Sequence, residues 1–173
     1  MNRIEALVQE GKITRPTAEW LTRLNEQDAI PVLDLFSQIK MTVNQQRALL
    51  EWMDDIVKRD ELSVAELFAE EEIVSLLQDP VLNGPQKRER IHERFHTRRF
   101  PEVSAFLVAL KERLQALKVP SGIRITPIDP LEDRSFRLEL TFHSGRELKE
   151  RFQEAAQFLS GPGMVRFFEF LDA

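Results

Sequence analysis

Two histidines and a glutamate form the clearest chemical motif in this sequence. His92, Glu93 and His96 match the H-E-x-x-H pattern within a segment that we predict to be helical. Histidines four residues apart share one helix face, where both can bind zinc, while the glutamate polarises a zinc-bound water. The third ligand would be His143, the remaining histidine, or a carboxylate such as Glu112. Neighbouring arginines oppose a divalent cation. We therefore keep a zinc-dependent hydrolase as a remote alternative and interpret the pair as surface residues of a basic helix.

The other residues with reactive side chains do not form a catalytic set. The chain contains no cysteine, which excludes disulfides, a thiol nucleophile and Cys-type metal centres. The segment Gly161-Pro162-Gly163 lacks the Lys-Ser/Thr of a phosphate-binding loop, and Ser144 is better explained as a helix cap than as a nucleophile. We therefore predict that the protein is not an enzyme and carries no cofactor or metal.

Positive charge is concentrated in the middle of the chain. Residues 1–80 hold 8 Lys and Arg against 16 Asp and Glu, whereas residues 81–118 hold 9 against 4. Basic residues at helical spacing can line one face along a nucleic-acid backbone. The predicted nucleic-acid-binding residues are Lys87, Arg88, Arg90, Arg94, Arg98 and Arg99. The alternative is a solvated helix face on which Glu89 and Glu93 pair with neighbouring arginines.

The first part of the chain must position this basic segment, and its pattern predicts helices throughout. Thr14 and Asn25 are typical N-caps, and capping boxes begin at Thr42 and Ser63. Pro31 is compatible with the third helix only in its first turn. The breakers at residues 79–80 and 83–85 mark the main boundary. We therefore predict an acidic helical domain over residues 1–80 and a basic helix or connector over residues 81–99.

The C-terminal part combines helices with a hairpin. A helix beginning at Pro101 ends before Gly122, and residues 123–126 and 136–142 alternate between apolar and polar, as half-buried strands do. A further capping box at Ser144 opens a helix that we expect to bury Leu148, Phe152, Ala155 and Leu159, and a short terminal helix follows. The predicted fold is mainly α: an N-terminal helical bundle followed by a small α+β part, helix–hairpin–helix, over residues 100–173.

Short motifs in the first 80 residues resemble the ParB-type chromosome and plasmid partition proteins. The stretch Glu10-Gly11-Lys12-Ile13-Thr14 resembles the family's glycine–lysine–aliphatic–Ser/Thr turn, which follows its DNA-reading helix-turn-helix. Residues 43–47 and 63–67 resemble ParB-like sequences as well. The resemblance implies a bacterial-type, non-enzymatic, DNA-associated module, with non-specific phosphate contacts from the basic helix.

The chain also departs from the family. Pro16 and Thr17 stand where the family often has glycine and histidine, and Glu19 stands where it has a basic residue. No counterpart of the family's nucleotide-binding domain precedes these motifs. The resemblance therefore implies a fragment or a truncated relative without nucleotide hydrolysis or sequence-specific readout.

The C-terminal helix–strand–strand–helix order is similar to the dimerisation domain of some ParB proteins. A lone two-stranded hairpin is marginally stable, and its free edges invite pairing, so a second copy could complete a four-stranded sheet. Alternatively, the flanking helices cover the hairpin within one chain. The partners expected are thus DNA and a homodimer through the C-terminal hairpin. A protein-interaction or dimerisation domain without a nucleic-acid role is the alternative function.

The absence of a long apolar run argues against a membrane partner. No stretch of 18 apolar residues occurs, and the first residues, MNRIEALVQEGK, lack the apolar core of a signal peptide. We expect a cytoplasmic protein.

Overall fold

The protein divides into two compact units. A computed structural model describes residues 3–132 and 134–172 of the chain. The first unit ends at Pro101 and the second begins at Glu102. Helices predominate, and one small antiparallel sheet lies in the second unit, which confirms the predicted fold class. None of the helices within the described ranges is long and apolar enough to cross a membrane.

The first unit is entirely helical within the residues described. Its helices are α1 (Arg3–Gln9), α2 (Arg15–Leu21), α3 (Glu26–Gln38), α4 (Val43–Asp60), α5 (Val64–Phe68), α6 (Glu71–Gln78) and α7 (Gly84–Arg99). Helix α7 is the basic helix of the sequence. It packs against α4 and α6, and it contributes Ile91 and Phe95 to the core of this unit. The segment predicted as a basic helix or connector is thus a helix of the first unit.

Local capping interactions begin several of these helices. Thr42 with Gln45 and Ser63 with Glu66 form the predicted capping boxes. Asn83 forms a further capping box with Gln86 at the start of α7. The sequence Asn83-Gly84-Pro85 predicts only a break in the chain at this position. Each of these boxes satisfies backbone N–H groups that a helix start would otherwise leave without partners.

Helix α3 departs from one expectation. Pro31 lies inside the helix, five residues after its first residue, Glu26, and not in the first turn. Proline lacks the N–H that would donate to the carbonyl of Gln27. Gln27 is exposed, so water can hydrate this carbonyl. Proximity to the solvated helix start therefore reduces the cost of this proline.

A buried glutamine joins the first helices of this unit. Gln46, only 2% exposed, accepts hydrogen bonds from Thr14 N (3.0 Å) and Thr17 Oγ1 (2.8 Å). Its amide nitrogen donates to the carbonyls of Lys12 (3.0 Å) and Met41 (3.1 Å). A buried amide is tolerated when all its donor and acceptor groups are satisfied. Gln46 thereby fixes the start of α2 against α4.

The second unit contains three helices and a hairpin, and it has a small core of its own. Its elements are α8 (Pro101–Ala116), β1 (Ile123–Asp129), β2 (Ser135–Leu140), α9 (Gly145–Leu159) and α10 (Pro162–Asp172). The strands pair antiparallel, with Ile125 opposite Leu138. The buried core residues come from α8 and α10, and they are Leu110, Met164, Phe167 and Leu171. Ile125 and Phe136 of the sheet pack against this core from one face.

Helix α9 begins differently from the prediction. Ser144 accepts from Glu147 N as an N-cap, at 3.1 Å. The Glu147 carboxylate, however, accepts from the backbone of His143 instead of Ser144. The predicted capping box at Ser144 is therefore only half formed, because the glutamate reaches one residue further back along the chain.

Candidate functional site

The carboxyl-terminal half of α7 carries three predicted DNA-binding arginines, and all three are ion-paired. Arg94 Nη2 lies 2.6 Å from Glu72 Oε2, and Arg99 Nε lies 2.6 Å from Asp55 Oδ2. Arg98 binds both Asp60, at 2.9 Å from Nη2, and Glu70. The acidic residues belong to or border α4 and α6. The acidic block of the sequence thus neutralises this half of the basic block.

Arg98 lies at the centre of these ion pairs. Its side chain is 18% exposed, and Arg59 Nη1 donates to its backbone carbonyl at 2.9 Å. Hydrogen bonds from Arg59, and then from Arg98, lower the pKa of the Asp60 carboxyl to about 2. Asp60 therefore stays ionised at neutral pH and ties the end of α4 to the end of α7.

The amino-terminal half of α7 holds the other three predicted residues in a different setting. Lys87 Nζ donates to the Leu77 carbonyl at 2.5 Å, and Arg88 Nη1 donates to the Lys40 carbonyl at 3.3 Å. Arg90 is exposed and forms no ion pair with any residue that the structure describes. Among the described residues, none of these three cations has a carboxylate partner. Any contact of α7 with phosphates would therefore come from this half of the helix. Nucleic-acid binding stays a prediction.

The two histidines of the H-E-x-x-H motif pack against a tryptophan. The ring centroids of His92 and His96 lie 4.5 Å and 5.3 Å from that of Trp52 on α4, both edge-on. They are half-buried, whereas the sequence interpretation placed them on the surface. Burial, and secondarily the charge of His96, lower the pKa of His92. Both rings thus attach α7 to α4 through their contacts with Trp52.

The surroundings of these histidines do not complete a metal site. They border an open groove of about 630 Å³, whose other lining residues are Gln45, Pro85, Gln86, Arg88, Glu89 and Glu93. Within residues 3–132 and 134–172, no group of three His, Asp or Glu side chains is placed to hold a metal ion. His143 lies in the second unit. The two histidines of the motif are therefore explained by their packing of α7 against Trp52.

In the second unit, helix α9 leaves its apolar stripe uncovered. Of the four residues predicted to be buried, only Ala155 is, at 3% exposure. Phe152 is 66% exposed, and Leu148 and Leu159 are exposed as well, so the prediction is wrong for these three. The reason is that α8 and α10 supply the buried residues of the small core, whereas Phe158 is the α9 residue that packs against it among the described residues.

Exposed apolar side chains from two other elements lie beside Leu159, at one end of this stripe. Leu159 of α9 lines a cavity of about 190 Å³ together with Leu138 of β2 and Phe168 of α10. Phe142 follows β2 and is 45% exposed. We call this surface the C-terminal apolar patch; its residues are Leu138, Phe142, Leu148, Phe152, Leu159 and Phe168. The strong apolar periodicity of residues 148–159 was the sequence signal for it, but that signal does not say what covers the stripe.

The patch adjoins an open strand edge. The sheet has two strands, and no other strand in the described ranges pairs with β2. Arg137, Leu138 and Glu139 in the middle of β2 are exposed. An uncovered edge next to an apolar surface is the usual setting for strand pairing with another chain.

Comparison of this chain with protein-family models, with curated proteins and with solved structures finds no match. The ParB-like resemblance accordingly rests only on the short motifs of residues 1–80 and on the element order of the C-terminal part.

Proposed function

We propose that this protein is a non-enzymatic interaction module that associates with a second copy of itself through the C-terminal unit. The observation that carries the proposal is the C-terminal apolar patch, which lies beside the open edge of β2. Contiguous exposed apolar surface is unfavourable in water and marks interaction sites. A second copy is a suitable partner because the same edge and the same patch are present on both chains, as a two-fold interface requires.

The charges of α7 favour this function over the DNA-associated one. Three of the six predicted phosphate ligands, Arg94, Arg98 and Arg99, already pair with carboxylates of the same unit. A phosphate would have to displace those carboxylates. The net charge of −5 adds long-range repulsion between the chain and DNA.

The test is the mass of the full chain in solution, measured by light scattering over a range of concentrations. We expect a mass near twice the 20.2 kDa of one chain. The substitution Phe152→Asp should shift the protein to the monomer, because it places a charge in the patch at a side chain that is 66% exposed and contributes little to folding. Val81→Asp is the matched control, since Val81 is 85% exposed in the other unit.

A monomeric wild-type chain at the highest concentration would refute the proposal. A dimer that Phe152→Asp and Val81→Asp weaken equally would also count against the patch as the interface.

A ParB-like, DNA-associated role is the second candidate, and the observation that favours it is the unpaired half of α7. Lys87, Arg88 and Arg90 have no carboxylate partner among the described residues. Three phosphate contacts would give a slope of about −2.7 for log K against log salt on a random duplex, since each contributes about −0.9. A slope that falls to about −0.9 in Arg88→Glu/Arg90→Glu, which keeps only Lys87, would support this role. Absence of binding at low salt would leave these residues as a solvated helix face.

A further inference from the structure

We infer that two copies of this chain pair through β2 in a single antiparallel register, with Leu138 opposite Leu138 of the second copy. The resulting four-stranded sheet has the order β1-β2-β2-β1. This inference rests on the proposed self-association and specifies the residues that align the two chains. Three observations support it: which strand edge is open, which backbone groups face outward, and how the charges of β2 are arranged.

The hydrogen-bond pattern of the hairpin identifies the groups that face outward. Thr141 N donates to the Gly122 carbonyl at 2.8 Å, one step beyond the Ile123–Leu140 pair. Hydrogen-bonded and non-hydrogen-bonded pairs alternate along an antiparallel ladder. The backbone N–H and C=O groups of Phe136, Leu138 and Leu140 therefore point away from β1, toward the free edge of β2.

The same alternation blocks the other edge. Pro127 of β1 lies opposite Phe136, in a non-hydrogen-bonded pair, so its nitrogen faces the outer edge of β1. Proline has no N–H to donate, and it commonly protects strand edges from pairing. Pro127 also lines a groove with Leu107 and Leu114 of α8, which places that helix beside β1. Strand β2 is thus the edge available for a partner.

The charges of β2 select the register. The strand reads Ser-Phe-Arg-Leu-Glu-Leu over residues 135–140. With Leu138 on the two-fold axis, Arg137 of each chain lies opposite Glu139 of the other, in the non-hydrogen-bonded pairs where side chains come closest. A shift of the axis to Arg137 or to Glu139 would place two like charges opposite each other, which is destabilising.

The apolar face of the sheet agrees with this register. Because Ile125 lies opposite Leu138 within one hairpin, the four strands would align Ile125, Leu138, Leu138 and Ile125 in one row. Phe136 would lie opposite Leu140 of the second copy. Leu138, which is 41% exposed in one chain, would be covered by its counterpart. The apolar and the charged faces are therefore complementary in the same alignment.

Cysteine cross-linking tests the register directly, because the chain has no cysteine of its own. Single variants Arg137→Cys, Leu138→Cys and Glu139→Cys are oxidised as full-length proteins, and the disulfide-linked dimer is measured on non-reducing gels. Leu138→Cys should cross-link most, because directly opposite residues have Cα atoms about 5.5 Å apart, within disulfide range. An equal mixture of Arg137→Cys and Glu139→Cys should give mainly the mixed disulfide, identified by intact mass.

A charge exchange provides an independent measurement. Arg137→Glu alone and Glu139→Arg alone each create two like-charged pairs across the axis and should weaken the dimer about tenfold. Mixing the two variants should restore the affinity, because one chain then presents two acids to the two bases of the other. Arg23→Glu, the same change of charge at an exposed position of the first unit, is the control and should leave the affinity within about twofold of wild type.

The outcomes separate the register from the proposed function. The register would be overturned if a single variant at position 137 or 139 cross-linked most strongly, or if the charge-exchanged mixture did not recover its affinity. If the wild-type chain still had the mass of two chains, self-association would stand. A wild-type chain that stays monomeric would overturn both.

Discussion

Removing Arg98 should destabilise the first unit, because this residue joins α7 to two acidic residues from elsewhere in that unit. Arg98 donates from Nε to Asp60 at 3.0 Å and also pairs with Glu70, and its side chain is 18% exposed. Arg98→Met keeps the aliphatic stem and removes the charge. The direct loss is two charge-assisted interactions, each worth about 1.5–3 kcal/mol when well shielded.

The expected magnitude is smaller than that sum. Asp60 keeps Arg59 at 2.7 Å, and Glu70 keeps Arg94 at 3.9 Å, so neither carboxylate is left without a cation. Both carboxylates are also partly solvated, and exposed ion pairs contribute only about 0.2–1 kcal/mol. We therefore expect Arg98→Met to lower the free energy of unfolding by about 2 kcal/mol.

Tryptophan fluorescence in a urea titration measures this change in the full chain. The two tryptophans, Trp20 and Trp52, both belong to the first unit, so the signal follows that unit alone. With a urea dependence of about 1.5 kcal/mol per M, the midpoint should fall by about 1.3 M. Arg90→Met is the matched control; because Arg90 is exposed and lacks an ion pair in the described part of the chain, its midpoint should change by less than about 0.3 M.

Equal midpoints for Arg98→Met and Arg90→Met would refute the structural role of the α7 arginines. Loss of DNA binding in Arg98→Met, with the wild-type midpoint retained, would instead identify Arg98 as a phosphate ligand.

The same fluorescence titration checks three further expectations. The first unit should be less stable at pH 5.5 than at pH 7.5, because the lowered pKa of His92 lets the unfolded chain bind a proton first as the pH falls below about 6.5. This loss of stability should be smaller in His92→Phe. Asp60, with its pKa lowered to about 2, should contribute stability above pH 4 that is lost between about pH 4 and 2, and Asp60→Asn should remove this loss. Gln46→Met should cost about 3 kcal/mol, against less than about 0.5 for the exposed Asn44→Met, since it leaves Thr14 N–H and two carbonyls without their partner.

The sequence predicts most of the secondary structure because helix caps and strand alternation are local. Thr42 and Gln45 lie three residues apart and form their capping box from neighbouring atoms alone. The alternation of residues 136–142 likewise predicts a strand with one apolar face, and the hairpin aligns Phe136 and Leu138 on it with Ile125. These interactions need no knowledge of distant segments.

Tertiary structure alone decides which charges and apolar faces remain available. Arg98 pairs with residues 38 and 28 positions away, and Gln46 bonds to the backbone of Thr14, 32 positions away. Spacing along the chain carries no information about such partners. The sequence therefore predicts a phosphate-binding surface on α7, whereas ion pairs neutralise half of that helix. The same holds for α9. Its periodicity determines that Leu148, Phe152 and Leu159 share one face, but only the packing of α8 and α10 into the small core leaves that face uncovered.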